Sequence, residues 1–338
     1  MNQNPKISVC IPVFRSEATL EECLKSVAEQ TFRDFEVVIA DDASDGKDKN
    51  GRSAKKIVKE FSKALKKEKI HVEYIRHSSN MGLVETRRTL VGASRGDFVA
   101  MLDSDDALFA DSLQSLFTVA QESGADIVHG KAEGFLTTEA QNEELSTAEK
   151  NRLEKIQAKI ELTSKDELLG SEIRKSWLIA ESHHSFLWGK LIRKNLYEKA
   201  LELVPFVHCT MAEDVVQYFF ITTLAKKYVS LDKKIYRYRA DSGITSNKKI
   251  TGEDEVERIA QAADAFNAIF AQIADGEVTV TAEEKDFLSA MCRNHLANNI
   301  VQMQFVTEEL KSRAKEILAE HWGEDFVRTA EKSMQQQS

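Results

Sequence analysis

Two aspartates with one residue between them, Asp103-Ser104-Asp105, follow directly on the apolar run Asp97 to Leu102. On a chain just leaving a strand, carboxylates at that spacing can converge on one hard cation. Magnesium and manganese take oxygen ligands and keep places open for phosphate oxygens, so the pair suits a metal-held diphosphate. A loop of capping aspartates is the plainer alternative. A second acidic cluster, Asp41-Asp42-Ala43-Ser44-Asp45, closes the apolar run Phe35 to Ala40. Its carboxylates and hydroxyl could take the N–H of a base or the hydroxyls of a ribose; alone, it reads as an Asx turn. Trp188 could lay its ring on a sugar face, with core packing the plainer role. Lys190 and Arg239 could neutralise phosphate or serve as ordinary ion-pair residues. His183 and His184 could contact acceptor or phosphate, or simply pack.

These residues need elements to position them. Lys6 to Phe14, Phe35 to Ala40, His71 to Ile75, Asp97 to Leu102 and Asp126 to His129 read as strands. Between them, Leu20, Cys23, Leu24, Val27 and Ala28, then Ala54, Ile57, Val58, Phe61 and Leu65, then Leu83 to Ser94, then Leu113, Leu116, Phe117 and Ala120 repeat at helical spacing. Ser16 stands at the N-cap position of the first helix. Alternation of this kind predicts an α/β fold with a mostly parallel central sheet flanked by helices. Ligands of such sheets sit beyond the carboxyl ends of the strands, where both acidic clusters fall. Residues 130–179 read as polar and helical without clear strands, Lys234 to Arg239 as a strand or edge, and 250–338 as a helical extension. The expected division is 1–249 for the main domain, split into 1–130 and 131–249, with the extension as a cap, a dimerisation element or a membrane-docking appendage.

Composition narrows the function. The 338 residues hold 46 Lys and Arg against 55 Asp and Glu, a net charge of −9. That is a poor non-specific nucleic-acid binder, although a local basic patch at a membrane remains open. The lysines of residues 55–69 read as a solvated helix face. The four cysteines, at 10, 23, 209 and 292, are scattered, which predicts reduced thiols rather than a disulfide framework or a zinc site. No signal peptide or membrane span is expected, which points to the cytoplasm or its membrane face. Neither a dinucleotide fingerprint nor a P-loop is present, so a Rossmann dehydrogenase and a P-loop NTPase are excluded.

Taken together, the motifs resemble the inverting family 2 glycosyltransferases of the GT-A fold. Ile7-Ser8-Val9-Cys10-Ile11-Pro12-Val13-Phe14, Glu17, and Cys23-Leu24-Lys25-Ser26-Val27 match the family's opening. Asp41-Asp42-Ala43-Ser44-Asp45 matches its Asp-Asp-Gly-Ser turn, with Ala43 for the usual Gly. Asn80-Met81-Gly82 with Arg87 matches its Asn-x-Gly and Ala-Arg-Asn stretch, with Arg88 for Asn and Leu90 where Gly is common. Trp188-Gly189-Lys190-Leu191, Glu213-Asp214, Tyr236-Arg237-Tyr238-Arg239 and Ser242-Gly243-Ile244-Thr245 resemble the later motifs.

The resemblance implies a nucleotide pocket of Pro12, Phe14, Glu17, Asp42 and Ser44, with Asp42 on a uracil base and Arg87 near the donor. It implies Asp103 and Ser104 at the ribose or metal, Asp105 as main ligand of Mn2+ or Mg2+, and Asp214 as base. Trp188, Lys190, His184, Glu213 and Arg239 would serve the acceptor or phosphate. The implied activity is transfer of one sugar from a nucleotide-diphosphate donor, a UDP-sugar, to a glycan or lipid-linked acceptor in cell-envelope polysaccharide synthesis. The motif of processive synthases is absent. Two other readings are a haloacid-dehalogenase-type phosphohydrolase using Asp103 and Asp105, and a non-catalytic nucleotide-sugar-binding module.

Overall fold

A computed structural model describes residues 4–137, 146–241 and 249–337. One mixed sheet runs through the molecule in the order β3-β2-β1-β4-β8-β6-β9-β5, with β7 also paired to β9. Its first half is the parallel sheet that the alternation predicts. It contains β1 (Ile7–Val13), β2 (Phe35–Asp41), β3 (Val72–Arg76) and β4 (Phe98–Met101). Its helices are α1 (Glu17–Ala28), α2 (Ala54–Lys66) and α3 (Leu83–Ala93). β1 and β2 are buried on both faces, which is why they read as continuous apolar runs.

Beyond β4 the pairing changes. β8 (Lys190–Arg193) lies antiparallel to both β4 and β6 (Ile127–Phe135). β9 (Lys227–Arg239) runs parallel to β6 and antiparallel to the two-residue strands β5 (Ala107–Leu108) and β7 (Leu168–Leu169). The sheet is thus mostly parallel, as expected, with antiparallel pairing confined to β8 and the two-residue strands β5 and β7. β6 continues through Phe135, so a division at residue 130 falls inside a strand, and a register shift sits at that point. Polar, half-buried residues at 131–135 and 227–234 hid these strand halves from a reading based on apolar runs. Helices α4 (Ser112–Ser123), α5 (Thr147–Ile160), α6 (Ser171–Leu178), α7 (Lys194–Leu203) and α8 (Glu213–Leu224) cover the sheet.

The C-terminal helices are α9 (Glu253–Ala260), α10 (Ala262–Ala274), α11 (Ala282–Gln302), α12 (Lys311–Trp322) and α13 (Glu324–Gln337). They share one core with the sheet domain. Val216, Phe219 and Phe220 of α8 belong to the same buried cluster as Phe266, Ile269, Leu288, Leu296 and Ile317. An ion pair crosses the junction inside that core: Arg174 Nε stands 2.8 Å from Glu284 Oε1, with the Glu284 side chain 1% exposed. None of the helices among the described residues is long and apolar enough to cross a membrane. All four cysteines are free thiols.

The junction and the packing among the C-terminal helices each make a test. Removing residues 250–338 uncovers the apolar face of α8 and leaves Arg174 without its acid, a loss larger than a marginally stable domain withstands. The shortened chain should fail to show a cooperative thermal transition by circular dichroism; a soluble, cooperatively folding 1–249 fragment would contradict the shared core. The second concerns His321 of α12, which bonds Asp264 of α10 and Glu257 of α9 at 3.3 and 2.9 Å. Its hydrogen bond to Asp264, then that to Glu257, raises its pKa from 6.5 to about 9. Because the folded value exceeds the unfolded one, the stabilisation is full below about pH 6.5 and lost as pH rises through about 9. After solvent screening it is on the order of 1–2 kcal/mol. Denaturant melts at pH 6 and pH 9.5 should show that loss, and His321→Gln should abolish the difference.

Candidate active site

The carboxyl ends of β1, β2 and β4 open onto one cavity of about 790 Å3. Each rim residue is placed by a short local device. Asp42 spends its carboxylate on the chain beside it: it accepts from the backbone N–H groups of Met81 and Gly82 at 2.8 and 3.0 Å, and bonds His77 Nδ1 at 2.7 Å. The acidic turn of residues 41–45 therefore shapes the cavity as much as it faces it. Gly82 needs its freedom here, with φ of 85° and the position of a Cβ only 3.1 Å from the Cys209 nitrogen. Ala43 takes the left-handed conformation, φ 63°, that a glycine would adopt without strain.

The turn after β4 is bolted to β9. The Asp103 backbone N–H donates to the Tyr236 hydroxyl at 3.1 Å, and that hydroxyl donates to Asp106 Oδ2 at 2.8 Å. The Arg239 N–H donates to Asp106 Oδ1 at 2.7 Å, and Arg239 Nε to the Asp105 carbonyl at 2.8 Å. Ser16, expected as a helix cap, instead bonds the Ser104 hydroxyl at 2.7 Å. Asp106 is thus held by its own chain, its pKa pushed well up by burial, and it lines the cavity beside Asp103 and Asp105.

Behind Asp103 lies Arg87 of α3, buried to 1% exposure. Its guanidinium donates to Asp214 Oδ1 at 2.7 Å and stands 3.6 Å from Asp103 Oδ1 and 3.7 Å from Glu213 Oε1. Glu213 and Asp214 occupy the first turn of α8, where the helix dipole favours negative charge. Burial opposes the Arg87 charge, but Asp214, Asp103 and Glu213 outweigh it and its pKa stands above the ordinary value. Burial also pushes the Asp103 carboxyl up to about 7, against the pull of Arg87, and raises Glu213. Asp103 Oδ1 is buried without a hydrogen-bond partner.

Of the sequence-expected residues, Pro12, Phe14, Asp42, Asp103, Ser104 and Asp105 line the cavity. Glu17 does not; it is buried beneath the 41–46 turn, its carboxylate where a Cβ on Gly46 would fall. The Ser44 hydroxyl accepts from the Arg15 N–H at 3.1 Å, outside the cavity lining. Trp188 is buried, stacked on Phe186 and Tyr236 at 4.7 Å and on Tyr238 at 5.4 Å; of this stack it is Tyr238 that reaches the cavity, where Phe14 also lies. Lys190 and His184 are buried together. The Lys190 ammonium donates to the carbonyls of His184 and Phe186, and His184 Nε2 bonds His129 Nε2 at 3.0 Å. Burial drives both pKa values well down, and neither residue is among those lining the cavity. Arg239 braces the Asp105 turn from behind. Ser242 to Thr245 lie outside the described residues.

Sequence reading missed His208, Thr210, Asp254, Glu257, Arg258 and Gln261, which also line the cavity. Gln261 donates to His208 Nδ1 at 3.0 Å and His208 Nε2 bonds Asn80 Oδ1 at 3.1 Å, so three distant segments close one wall. The only signal available was a polar stripe at i, i+3, i+4 and i+7 over 254–261, which reads as an ordinary solvent face.

The sequence model described as "Glycosyl transferase family 2" matches residues 8–211. The chain belongs to this family. It is 28% identical over 241 residues to glycosyltransferase GlyA of Streptococcus pneumoniae serotype 4, covering 71% of this chain and 31% of that protein. The chain thus spans about a third of that relative's length. Among solved structures, Staphylococcus aureus TarS 1–349 in complex with UDP-GlcNAc superposes with a TM-score of 0.55 at 20% identity, covering 98% of this chain and 92% of that one. Mannosyltransferase PcManGT from Pyrobaculum calidifontis, in complex with GDP-Man and Mn2+, gives 0.55 at 14% identity, covering 97% and 86%. The family 2 fold of these transferases is therefore the fold of this chain, and its C-terminal helices fall within the superposed region.

Within this family 2 chain, Arg87 is the brace of the site. Arg87→Met leaves Asp103, Glu213 and Asp214 facing one another without a counter-charge, an effect of about 3–5 kcal/mol for a broken buried pair. Urea unfolding at pH 8 should show that loss, and a smaller one at pH 5, where protonation relieves the repulsion. A loss under about 1 kcal/mol at pH 8 would show that the cluster does not hold these elements together.

Proposed function

We propose that the protein is an inverting glycosyltransferase that moves one sugar from a nucleotide-diphosphate donor, a UDP-sugar, to a hydroxyl of a glycan or lipid-linked acceptor at the cytoplasmic face of the membrane. The observation that carries this reading is that Asp103, which lines with Asp105 a cavity large enough for a nucleotide sugar, shares the buried Arg87 with Asp214. The complexes of TarS with UDP-GlcNAc and of PcManGT with GDP-Man and Mn2+ support it.

A divalent ion fits the residues present. No group of three or more His, Cys, Asp or Glu side chains forms a metal cage among the described residues. Asp103 and Asp105 instead line the cavity as a pair of carboxylates one residue apart, Asp103 with its Oδ1 toward Arg87. That is how Mg2+ or Mn2+ is held when one or two carboxylates share it with substrate phosphates. Asp105 and Asp103 would hold the ion, whose chemistry is to stabilise the negative charge of the departing diphosphate.

Asp214 is assigned as the general base. The acceptor hydroxyl is a weak nucleophile whose proton must leave as the new bond forms, and a positioned carboxylate takes it. Arg87 binds Oδ1 of Asp214 and so sets the direction of the other oxygen. A single base opposite the leaving group gives inversion at the anomeric carbon. Asp42, pinned by Met81, Gly82 and His77, would present its remaining lone pairs to the base from a fixed position.

The test is donor binding and turnover against a panel of UDP-, GDP-, dTDP- and CMP-sugars, with and without manganese. Asp105→Ala should lose the metal-dependent part of donor binding. Asp214→Asn should retain donor binding while turnover falls about 10²- to 10⁴-fold. Undiminished turnover in Asp214→Asn would remove the base assignment, and failure of every nucleotide sugar to bind would remove the donor class.

A further inference from the structure

Helix α9 turns an unusual face to the cavity. Val256, Ile259 and Ala260 are buried in the core, while Asp254, Glu257, Arg258 and Gln261, at i, i+3, i+4 and i+7, line the cavity. A polar helix face normally meets solvent; here it lines the same cavity as Asp42, Asp103, Asp105 and Asp106.

The cations around that cavity are not equally available. Arg15 is spent on Asp45, with hydrogen bonds of 2.9 and 3.2 Å. His208 has both ring nitrogens engaged, with Gln261 and Asn80. Arg258 differs. Its Nε is buried without a hydrogen-bond partner, its closest ion-pair contact is Asp254 at 3.8 Å, and its side chain is 27% exposed. Glu257, on the same face, bonds His321, and Asp42 and Asp106 are held by their own partners. A guanidinium brought into a carboxylate-lined cavity with unspent donors is built for an anion from outside. Its planar fork matches two phosphate oxygens at once.

We infer that Arg258, carried in by the C-terminal helices, binds the diphosphate of the donor, so that residues 250–338 complete the donor site. This rests on the nucleotide-sugar reading above. Arg258 is then a binding residue that offsets the phosphate charge opposite the Asp103–Asp105 turn, and α9 is part of the active-site wall.

The test is isothermal titration of the full chain and of Arg258→Lys and Arg258→Gln with UDP, GDP, uridine and guanosine in manganese buffer. Thermal melts of all three proteins would establish that they are folded. The diphosphate that binds the unsubstituted chain should weaken about 10- to 100-fold in Arg258→Gln, as expected for loss of a charge-assisted pair, and less in Arg258→Lys. The matching nucleoside should change by less than about twofold. Equal diphosphate affinity in Arg258→Gln overturns the inference and leaves the donor reading standing. An equal loss for nucleoside and diphosphate also overturns it, because it marks a purely structural role. If the unsubstituted chain binds neither UDP nor GDP, the donor reading and the inference fall together.

Discussion

The buried guanidinium of Arg87 ties together three parts of the chain that share nothing in sequence. It rises from α3, meets the turn after β4 through Asp103, and reaches the first turn of α8 through Asp214. A charge at 1% exposure is costly to desolvate, and it persists because three carboxylates share its field. The same carboxylates would repel one another without it. The site is therefore assembled by mutual compensation: each group is stable only in the company of the others, which fixes their separations to within the length of an ion pair.

Around that centre the fold works in layers. The parallel half of the sheet delivers the ends of β1, β2 and β4 to one edge, and each end is followed by a turn with its own locks. Asp42 holds residues 81–82, Tyr236 and Arg239 hold the Asp103–Asp106 turn, and Ser16 crosses to Ser104. The mixed half of the sheet supplies the braces rather than the rim: Trp188, Lys190 and His184 sit below the surface and stiffen β8, β6 and β9. Arg88 donates to the Val204 carbonyl at 2.8 Å and so ties α3 to the chain leading toward His208.

How much was legible in the sequence differs by residue. The strands β1, β2 and β4 read correctly because both their faces are buried, which writes an unbroken apolar run. The second half of β6 and the first half of β9 were not seen, since Lys131, Glu133, Lys227, Asp232 and Lys233 make them look like polar segments. The same limit applied to side-chain roles. Trp188 and Lys190 have the chemistry of sugar and phosphate binding, yet burial assigns them to the core. Glu17 belongs to a family motif, yet it lies under the 41–46 turn rather than on the cavity.

What the sequence alone determined was the order of elements and the identity of the acidic groups at strand ends. Hydrophobic periodicity and motif spacing are local properties, carried by residues a few positions apart. Tertiary structure decided which distant groups meet: Arg87 with Asp214, Gln261 with His208 and Asn80, and the polar face of α9 with the cavity. Those meetings depend on how helices pack across a shared core. A polar stripe at helical spacing is written the same way whether it faces water or a binding site.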